Sequence, residues 1–440
     1  MRFLSILATK SSAAILRRLG RGGSMPGQIG LKLDPQILKK LKIHAPVILV
    51  TGTNGKTSTA NMITSMFEAA GYHVISNRKG DNLREGIVTT LLTHTDMSGK
   101  VNADAIVLEV DELNIKHILP NLPVSTLVVN NFFRDQLDRA REMEQLIDSI
   151  ENVLPGYRQT LVLNGNDPNV VRLSLKAPKA HIVYFGLAKN KYSVEKTNEA
   201  SEGKFCPRCG HRLVYSYYQY SHIGSFCCPE CHFRTPILNV ELKNIDLKDH
   251  TFTLHGEKFK DPYDGMYSMY NCAAVLAVAD LYNIDTRHIK EVFANAPQPK
   301  GRNEKFSLDG RNVILNLVKN PTGANEVMKV IEEDRNKKTI VIVLNDNDQD
   351  GTDVSWIYDT HFEKLMNEAT TRIITTGKRG FDMALRLYYG GYKGILEQKD
   401  TIEEAFNEAV RDKDDIYVIA TYTALLPARS VIEKQVKNYG

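Results

Sequence analysis

The chain has 440 residues, a length that predicts two or three domains rather than one hydrophobic core. With 42% hydrophobic and 25% charged residues, its composition is typical of a soluble globular protein. The formal net charge of +4 gives no reason to expect nucleic acid as a partner, and no apolar run of roughly 18 residues is present to span a membrane.

The N-terminal segment, residues 1–45, is predicted to be helical. Lys10, Arg17 and Arg18 break its apolar stretches and no small-residue cleavage pattern follows, so we reject a secretory signal peptide. We expect the first helix to dock on the body of the protein, with a basic amphipathic helix on a membrane surface as the alternative. Apolar residues fall on one loose face of this helix: Leu4, Leu7, Ile15, Leu16 and Leu19.

From residue 46 the chain alternates β-branched runs with helical stretches. Because this alternation places helices on both faces of a sheet, it predicts a parallel α/β domain, which we assign to residues 46–299. Its last helices are predicted at YSMYNCAAVLAVADLYN and TRHIKEVFANA. The predicted strands are PVILV, YHVIS, ADAIVLEV, STLVVNN and TLVLNG.

The stretch VTGTNGKTST, residues 50–59, separates the first strand from a helix predicted to end at Gly71. Its glycines permit backbone angles that turn N–H groups toward phosphate oxygens, and the helix N-terminus adds positive potential. Lys56 can reach the outer phosphates and the Thr57 hydroxyl can bind Mg²⁺, although Val50 replaces the first glycine of the full Walker pattern. We therefore predict an ATP site formed by Gly52, Thr53, Asn54, Gly55, Lys56, Thr57 and Ser58.

A magnesium ion that bridges nucleotide phosphates needs carboxylate ligands. VLEVDEL ends another predicted strand, and ligands gather beyond the carboxyl ends of parallel strands. Glu109 is the first choice as the Mg²⁺ ligand, with Asp111 and Glu112 nearby. An acidic strand end that simply faces water is the alternative.

A cysteine-rich insertion, residues 200–238, interrupts the β/α alternation. CPRC and CPEC form the pattern C-x2-C-x18-C-x2-C, which predicts a structural, tetrahedral Zn²⁺ site. Cys227 is expected to be a bystander, and the tyrosines of the insertion are expected to pack in a small β unit rather than stack on bases. The predicted ligands are Cys206, Cys209, Cys228 and Cys231, with His211, His222 and His232 as weaker candidates.

A second α/β domain is predicted at residues 300–440, after a hinge at residues 296–302. The loop LNDNDQDGTDVSWIYD follows a strand there and carries five aspartates and the one tryptophan, Trp356, which fits an interface or a local core equally well. Arg302 and Lys319 are candidates for contacts with phosphate or carboxylate. The predicted strands are NVILNLV, TIVIVLN, RIITTG and IYVIAT.

Several of these stretches resemble the Mur ligases, which join amino acids to cell-wall precursors through an acyl phosphate. TGTNGKTST, LEVDE and GRNE match their motifs, and in GMYSMYNCAAVLAV the residue Asn271 matches the second asparagine of a nucleotide-contacting helix. Ser268 replaces the first asparagine of that helix, and Gln136 in VVNNFFRDQLDR replaces a metal-binding histidine. The chain also lacks a match to the carbamylated lysine of the amino-acid-adding ligases. The resemblance therefore implies a retained ATP site, including Asn271 and Arg302, and an altered second metal site.

Nearly the whole chain, from LGRGGSMPGQI to ATYTALLPAR, resembles the MurT family, the Mur ligase-like subunits of lipid II isoglutaminyl synthase. The cysteine insertion, KNPTGANE and LNDNDQDGTDVSWIYD carry this resemblance. It implies ATP- and Mg²⁺-dependent amidation of the α-carboxyl of D-glutamate in the lipid II stem peptide, by way of an acyl phosphate. It also implies a heterodimer with a GatD-like glutamine amidotransferase that supplies ammonia. Asp353, with Asp350 as the alternative, is the aspartate expected to reach the partner's active site and orient its histidine.

Lys56, Glu109 and Asp353 are thus the predicted catalytic residues, and closure about the hinge is expected to keep water from the acyl phosphate. Because the zinc site takes four cysteines and Cys272 lies in a predicted helix, we find no glutaminase nucleophile in this chain. A stand-alone amino-acid ligase of the Mur or folylpolyglutamate type is the alternative function, and a nucleic-acid-binding protein is a more distant one. We expect a cytoplasmic location, with the inner face of the membrane as a further alternative.

Overall fold

The structure, a computed structural model, describes residues 1–18, 23–78, 81–133, 143–197, 202–297 and 301–439. It divides into two compact units, the first formed by Met1–Phe133 and Glu144–Ala296 and the second by Pro297–Gly440. The central part of the predicted hinge and Gln136, together with most of FFRDQLDR, lie outside the described residues. No helix in the described ranges is long and apolar enough to cross a membrane.

The first unit is built on a nine-stranded sheet. Its strands are β1 (Val47–Thr51), β2 (Val74–Ser76), β3 (Ala105–Glu109), β4 (Val124–Val129), β5 (Thr160–Asn164), β6 (His181–Leu187), β9 (Val240–Asp246), β10 (Thr251–Leu254) and β11 (Glu257–Lys260), in the order β11-β10-β9-β6-β5-β4-β1-β3-β2. The cysteine-rich insertion adds a separate antiparallel hairpin, β7 (Val214–Tyr220) and β8 (Ile223–Cys227).

The helices of the first unit cover this sheet. They are α1 (Arg2–Arg18), α2 (Met25–Leu33), α3 (Lys56–Ala69), α4 (Arg84–Thr93), α5 (Ile115–Ile118), α6 (Met143–Glu151), α7 (Pro168–Val171), α8 (Leu173–Lys176), α9 (Met266–Leu281) and α10 (Thr286–Asn295). Strands β1 to β6 and β9 pair in parallel, and β10 and β11 extend the sheet in antiparallel fashion. The predicted parallel α/β fold is therefore confirmed.

Burial follows the sequence pattern in the centre of the sheet. Strands β1 and β3 are buried along their whole length, as expected for apolar runs covered on both faces. Helix α9 is apolar on all sides and nearly all of it is buried, and it packs against α3 and strands β5, β6 and β9. Helix α3 ends at Ala69, two residues before the predicted end at Gly71.

Helix α1 is docked as expected, on α2 and α4, but not through the expected face. Its buried residues are Ser5, Ile6 and Thr9, whereas Leu4 and Ile15 of the predicted apolar face are more than half exposed. The sequence pattern misleads here because α1 approaches α2 through small residues. A Cβ on Gly30 would lie 2.4 Å from Thr9 Oγ1, and the Ser5 hydroxyl donates to the Gly30 carbonyl at 2.8 Å. Leu19 lies outside the described residues.

The second unit has a six-stranded sheet in the order β12-β13-β17-β14-β15-β16. Its strands are β12 (Glu304–Leu308), β13 (Arg311–Leu317), β14 (Lys338–Val343), β15 (Thr370–Thr376), β16 (Ile395–Gln398) and β17 (Asp415–Ala420). Its helices are α11 (Pro321–Glu333), α12 (Gly380–Tyr389), α13 (Ile402–Arg411) and α14 (Tyr422–Tyr439). Strand β12 is antiparallel to β13, and the other pairs are parallel, so this domain is also α/β as predicted. Two short 3-10 helices, Ser355–Tyr358 and Phe362–Leu365, follow β14.

Candidate functional site

The predicted phosphate loop lies at the carboxyl ends of four neighbouring parallel strands. The sheet order places β1 between β4 and β3, with β5 beyond β4. The loop leaves β1 on one side of this edge, Glu109 ends β3 on the other, and Asn130 and Asn131 follow β4. In parallel sheets ligands bind where neighbouring connections diverge to opposite sides, and β1 occupies such a position.

The phosphate loop adopts a conformation that needs its glycines. Gly52 has φ +124° and Gly55 has φ +84°, in the region that favours glycine. Asn131 fixes the loop between them: its carbonyl accepts from the Thr53 N–H at 2.9 Å, and its side chain accepts from the Asn54 N–H at 2.9 Å. The Asn131 amide also donates to the Asn54 carbonyl at 3.0 Å. The backbone amides of Thr53 and Asn54 thus donate to Asn131, after β4, rather than pointing into an open phosphate cradle.

Helix α3 begins at Lys56, directly after the loop. The first amides of a helix have no acceptor within the helix, so those of the first turn of α3 are suited to bind an anion. The Thr57 side chain is exposed at this end of the helix, whereas Ser58 is buried. The structure therefore places both side chains of the predicted phosphate and magnesium contacts, Lys56 and Thr57, at one helix N-terminus.

Lys56 forms an ion pair with Glu112. Its Nζ lies 3.1 Å and 3.2 Å from the two carboxylate oxygens, and both side chains are largely buried, at 11% and 6% exposure. A buried lysine is stabilised by a nearby negative charge, and the carboxylate of Glu112, in the same unit, provides that charge. An anionic ligand at the loop can take over this role.

Glu109, the first-choice magnesium ligand, is buried at the end of β3 with an exposure of 4%. One of its carboxylate oxygens accepts from the Asn82 amide at 2.9 Å, and its backbone exchanges two hydrogen bonds with the Asn77 side chain. Asp111 instead accepts from the Leu113 N–H and caps a short 3-10 helix. The three acidic residues therefore make separate contacts, and a metal contact by Glu109 stays a prediction.

Asn271, on α9, lies against the phosphate loop. A Cβ on Gly55 would be 2.1 Å from Asn271 Oδ1, so only glycine allows this approach. The Asn271 Nδ2 is buried and has no hydrogen-bond partner among the residues that the structure describes. A buried donor is stabilised by an acceptor, and the oxygens and ring nitrogens of a nucleotide are acceptors of the kind that Asn271 Nδ2 lacks. Ser268, in contrast, donates to the buried Asp261 at 2.5 Å.

The four predicted zinc ligands come together in the cysteine-rich insertion. Their Sγ atoms all lie within 4.8 Å of one another, and the closest pairs are 3.5 Å apart, a spacing suited to thiolates around one tetrahedral Zn²⁺. Cys227 is not part of the cluster, as predicted. The residues of this cluster are Cys206, Cys209, Cys228 and Cys231.

The two cysteine turns share one backbone pattern. The N–H of Cys206 donates to the His211 carbonyl and that of Cys228 to the Phe233 carbonyl, both at 2.7 Å. Each turn also contains a residue with positive φ, Gly210 in the first and His232 in the second. None of the three weaker histidine candidates joins the cysteine cluster in the described chain. The donor set is therefore four sulfurs, which leaves no open position for catalysis.

His222 forms a buried ionic cluster that links the insertion to the phosphate loop. Its ring nitrogens lie 3.3 Å from Asp167 and 3.3 Å from Glu202. Burial by itself lowers the pKa of His222, but the two carboxylates outweigh this and raise that pKa to about 10. Asp167 also accepts from the Phe132 N–H at 2.9 Å, and the neighbouring Phe133 N–H donates to the Thr53 hydroxyl at 3.0 Å.

The tyrosines of the insertion are partly or fully buried against the protein. Tyr215 and Tyr218 stack with ring centroids 4.3 Å apart, and the Tyr215 hydroxyl donates to the Gly203 carbonyl. Tyr220 stacks on Phe133 beside the phosphate loop. The expectation of a packed small β unit is therefore confirmed, and these rings are engaged with the protein itself.

In the second unit, the loop after β14 distinguishes the two candidate aspartates. Asp350 is buried and accepts from the backbone N–H of Thr423 at 2.7 Å and from its hydroxyl. Asp353 is exposed and accepts from the Ser355 N–H at 2.8 Å, a backbone bond that lowers the pKa of its carboxyl. Trp356 belongs to the local core. Asp350 thus anchors the loop, while Asp353 presents a charged carboxylate to solvent.

Sequence reasoning missed the asparagines that fix the site. Asn131 and Asn82 have no predicted role, although the two asparagines that end the predicted strand STLVVNN are a usable signal for Asn131. The importance of Asp167 and His222 had no such signal, because they are 55 residues apart in the sequence. Arg302 lies in the second unit and is partly buried, and its proposed nucleotide contact stays a prediction.

Two family models match the chain. One, described as the Mur ligase middle domain, matches residues 50–222 and so includes the phosphate loop and the first part of the cysteine-rich insertion, but not Cys228 or Cys231. The other, described as the MurT ligase C-terminal domain, matches residues 317–425 and includes the loop of Asp353.

Known proteins resemble this chain in sequence or in structure. The subunit MurT of the glutamine-hydrolysing lipid II isoglutaminyl synthase of Staphylococcus aureus strain COL is 33% identical over 426 residues, 96% of this chain and 95% of that protein. A pseudomurein peptide ligase type C from Methanothermus fervidus has a similar structure, with a TM-score of 0.69 at 22% identity over 91% of this chain and 81% of that one. MurF ligase from Thermotoga maritima, solved with ADP, gives 0.60 at 15% identity over 93% and 85%.

Proposed function

The chain belongs to the MurT family of Mur ligase-like proteins, and from this premise we propose that it is the ligase subunit of a lipid II isoglutaminyl synthase. In this proposal it uses ATP to activate the α-carboxylate of D-glutamate in the lipid II stem peptide. Ammonia from a glutaminase subunit of the GatD type then converts the activated carboxyl into an amide. The observation that carries the ATP-dependent step is the Lys56 ammonium at the N-terminus of α3, paired with Glu112.

The reaction needs activation because a carboxylate oxygen is a poor leaving group. The acceptor carboxylate oxygen attacks the terminal phosphorus of ATP, and the bond from phosphorus to the ADP oxygen breaks. Ammonia next attacks the carbonyl carbon of the acyl phosphate, loses a proton, and inorganic phosphate leaves. The amide therefore keeps one of the two original carboxyl oxygens, and the other leaves with the phosphate.

The residues of the phosphate loop stabilise charge in this sequence. Lys56 exchanges its bond to Glu112 for the transferred phosphate, and the first-turn amides of α3 bind phosphate oxygens. Thr57 and Glu109 are the proposed Mg²⁺ ligands, and a bound Mg²⁺ supplies positive charge at the phosphates. Asn131 and Asn82 hold the loop and Glu109 in position, so little reorganisation is needed when substrate binds.

Nitrogen must come from another protein. The four clustered cysteines are suited to structural Zn²⁺, which we propose as their ligand, and burial raises the pKa of the Cys272 thiol well above its usual value. Cys227, the sixth cysteine, ends β8 beside the cluster and its thiol donates to the Cys228 carbonyl, so we assign the nucleophile that hydrolyses glutamine to none of the six. Asp353, an exposed carboxylate on an anchored loop, is the proposed contribution of this chain to the partner's histidine.

A surface near this loop suits a partner subunit. Arg386 of α12 donates to the carbonyls of Ile357 and Thr360, which ties α12 to the 3-10 helix after Asp353. Aromatic residues are common in the cores of protein interfaces, and an exposed cluster of them marks such a site. The exposed large side chains of α12 and the 3-10 helix are Tyr358, Phe381, Leu385, Tyr388 and Tyr389, which we call the α12 patch.

Trapping with hydroxylamine tests the proposed activation step. The protein with its partner is incubated with ATP, lipid II and hydroxylamine in place of glutamine, and the products are analysed by mass spectrometry. We expect a hydroxamate at the D-glutamate residue, formed in an ATP-dependent manner. ATP consumption without hydroxamate would contradict the acyl phosphate. Because the acceptor is lipid-linked, the proposal also places the chain at the inner face of the membrane.

A further inference from the structure

Helix α1 presents an apolar face to solvent. Its Phe3, Leu4, Leu7 and Ile15 side chains are 54%, 53%, 45% and 60% exposed. At about 100° per residue these positions fall on one stripe of the helix. Ser11 and Ala14 fall on the same stripe and are exposed too, and we call the set of six residues the α1 outer face.

This exposure follows from how α1 is packed and is not a result of a loosely attached helix. Ser5 and Thr9 face α2, where Gly30 allows the helices to approach closely. The neighbouring Gly27 of α2 is equally close to α4, since a Cβ there would lie 1.9 Å from the Glu85 carbonyl oxygen. The three helices therefore interlock through small and hydroxyl side chains. Ile6 is buried in this layer, whereas Phe3, Leu4, Leu7 and Ile15 are left on its outside.

The charge of the N-terminal segment is as uneven as its hydrophobicity. Residues 1–45 contain nine lysines and arginines and one acidic residue, Asp34, whereas the remaining 395 residues contain 47 basic and 51 acidic residues. Helix α1 itself carries four basic side chains and no acidic one, and Arg17 and Arg18 are exposed at its end. The N-terminal segment therefore carries an excess of positive charge, and Arg17 and Arg18 place part of it at the end of α1.

We propose that the α1 outer face binds the surface of an anionic lipid bilayer. Shallow insertion of Phe3, Leu4, Leu7 and Ile15 buries apolar area at the level of the headgroups, and the basic residues attract the negative lipids. Charge complementarity favours an anionic lipid surface, because the N-terminal segment carries nine basic residues and one acidic residue. Helix α1 lies on the membrane and does not cross it. The binding requires neither ATP nor glutamine, so this inference does not depend on the proposed function.

Vesicle sedimentation tests the proposal. The full-length chain, alone and with its partner subunit, is mixed with vesicles of phosphatidylcholine or of phosphatidylcholine and phosphatidylglycerol, without nucleotide. We expect both forms to sediment with the anionic vesicles and much less with the zwitterionic ones. Failure of the chain to bind anionic vesicles would overturn the proposal. Binding by the chain that is lost when the partner is present would overturn it as well, because the face would then belong to the subunit interface.

Two variants separate the apolar and the charged contributions. Leu4→Ser/Leu7→Ser should weaken partition into anionic vesicles about tenfold or more, because two inserted side chains lose their apolar area. Arg17→Gln/Arg18→Gln should weaken it by about fivefold per removed charge, and only on anionic vesicles. Ile237→Ser, at an exposed apolar residue outside this segment, is the matched control and should bind as the unmodified chain does.

All four substituted residues of α1 are exposed, so thermal unfolding should not change. Unaltered binding by Leu4→Ser/Leu7→Ser would overturn the proposal. So would a loss of self-association in that variant, measured by light scattering, without a loss of vesicle binding. Amidation of a water-soluble stem-peptide acceptor should be unaffected by either variant, so a failed vesicle experiment and a failed ligase assay remain distinguishable.

Discussion

The phosphate loop of the first unit and the Asp353 loop of the second have similar local structures, but they differ in how many of their polar groups are bonded within the chain. Each follows a buried parallel strand and contains a glycine with positive φ, Gly55 or Gly351. The phosphate loop has its polar groups bound by its own chain, through Asn131 and Glu112. Asp353 instead stands exposed on a loop that Asp350 anchors.

This difference indicates a division of work between proteins. A site whose charges and hydrogen bonds are already arranged can stabilise a transition state within one chain. An exposed carboxylate on a fixed loop has little effect in water, because solvent screens it, and it gains an effect when another molecule buries it. The phosphate loop is therefore expected to act on ATP with groups of its own chain, and the Asp353 loop to complete the site of a partner.

The largest effect is expected from Lys56→Ala. Loss of the ammonium should reduce ATP turnover and amidation by about 10⁴-fold with either glutamine or ammonium, because phosphate charge is no longer neutralised. The measurement is phosphate release by the purified complex. Lys191→Ala, which removes a surface lysine paired with Asp246, is the control and should retain full turnover.

The same substitution leaves Glu112 buried without its counter-charge. Its effect on the free energy of unfolding must therefore be measured separately from its effect on ATP turnover. Lys56→Ala should lower the free energy of unfolding by about 3 kcal/mol or more. The double variant Lys56→Met/Glu112→Gln should recover most of this stability and no turnover. Recovery of turnover in the double variant would contradict a role for Lys56 at the phosphates.

Cys209→Ser tests the proposed zinc site. With one thiolate replaced, zinc content measured by atomic spectrometry should fall, and the melting temperature should drop by roughly 5–10 °C, because metal binding contributes to folding. Cys227→Ser is the matched control in the adjacent hairpin and should change neither quantity, since Cys227 lies outside the cluster. Full zinc content in Cys209→Ser would refute the ligand set.

His222→Gln should destabilise the first unit by about 3 kcal/mol near neutral pH, because Asp167 and Glu202 lose a buried counter-charge. Since the folded pKa of His222 is about 10 and its ordinary value is 6.5, its contribution is fully present below pH 6.5 and is lost as pH rises toward 10. The difference between the two proteins in denaturant unfolding should shrink over this range. His211→Gln, at an exposed histidine, serves as the control. A constant difference across this pH range would contradict the buried imidazolium.

The smallest effect is expected at the α12 patch. Phe381→Ser/Leu385→Ser should weaken binding of the partner subunit by about tenfold, because two apolar side chains leave the interface. The affinity is measured by titration calorimetry, with Leu175→Ser in the first unit as the control. An affinity equal to that of the unmodified chain would remove this surface from the proposed interface.

Much of the site could be predicted because its signals are local. The phosphate loop and the two cysteine turns are short motifs whose chemistry depends on spacing within a few residues. The hydrogen bonds between Asn131 and the phosphate loop were harder to predict, because Asn131 reaches Asn54 only through the parallel pairing of β1 with β4. The choice between Asp350 and Asp353 also needed the fold, since Thr423 that binds Asp350 is 73 residues away.

Helix α1 shows where pattern recognition fails for a physical reason. Periodicity identifies an apolar face but not the direction in which it points. Here Gly30 and Thr9 allow a close contact on the polar side, and Leu4 and Leu7 remain outside. A helix that packs through small residues therefore reverses the usual expectation that its apolar face is buried.

The most direct test of the division between the two loops is a paired assay on Asp353→Asn. The variant complex is supplied with ATP and lipid II, and with either glutamine or ammonium as the nitrogen source. We expect glutamine-dependent amidation to fall by about 10³-fold or more and ammonium-dependent amidation to remain at the level of the unmodified complex. An equal loss with both nitrogen sources, or full activity with glutamine, would contradict the account.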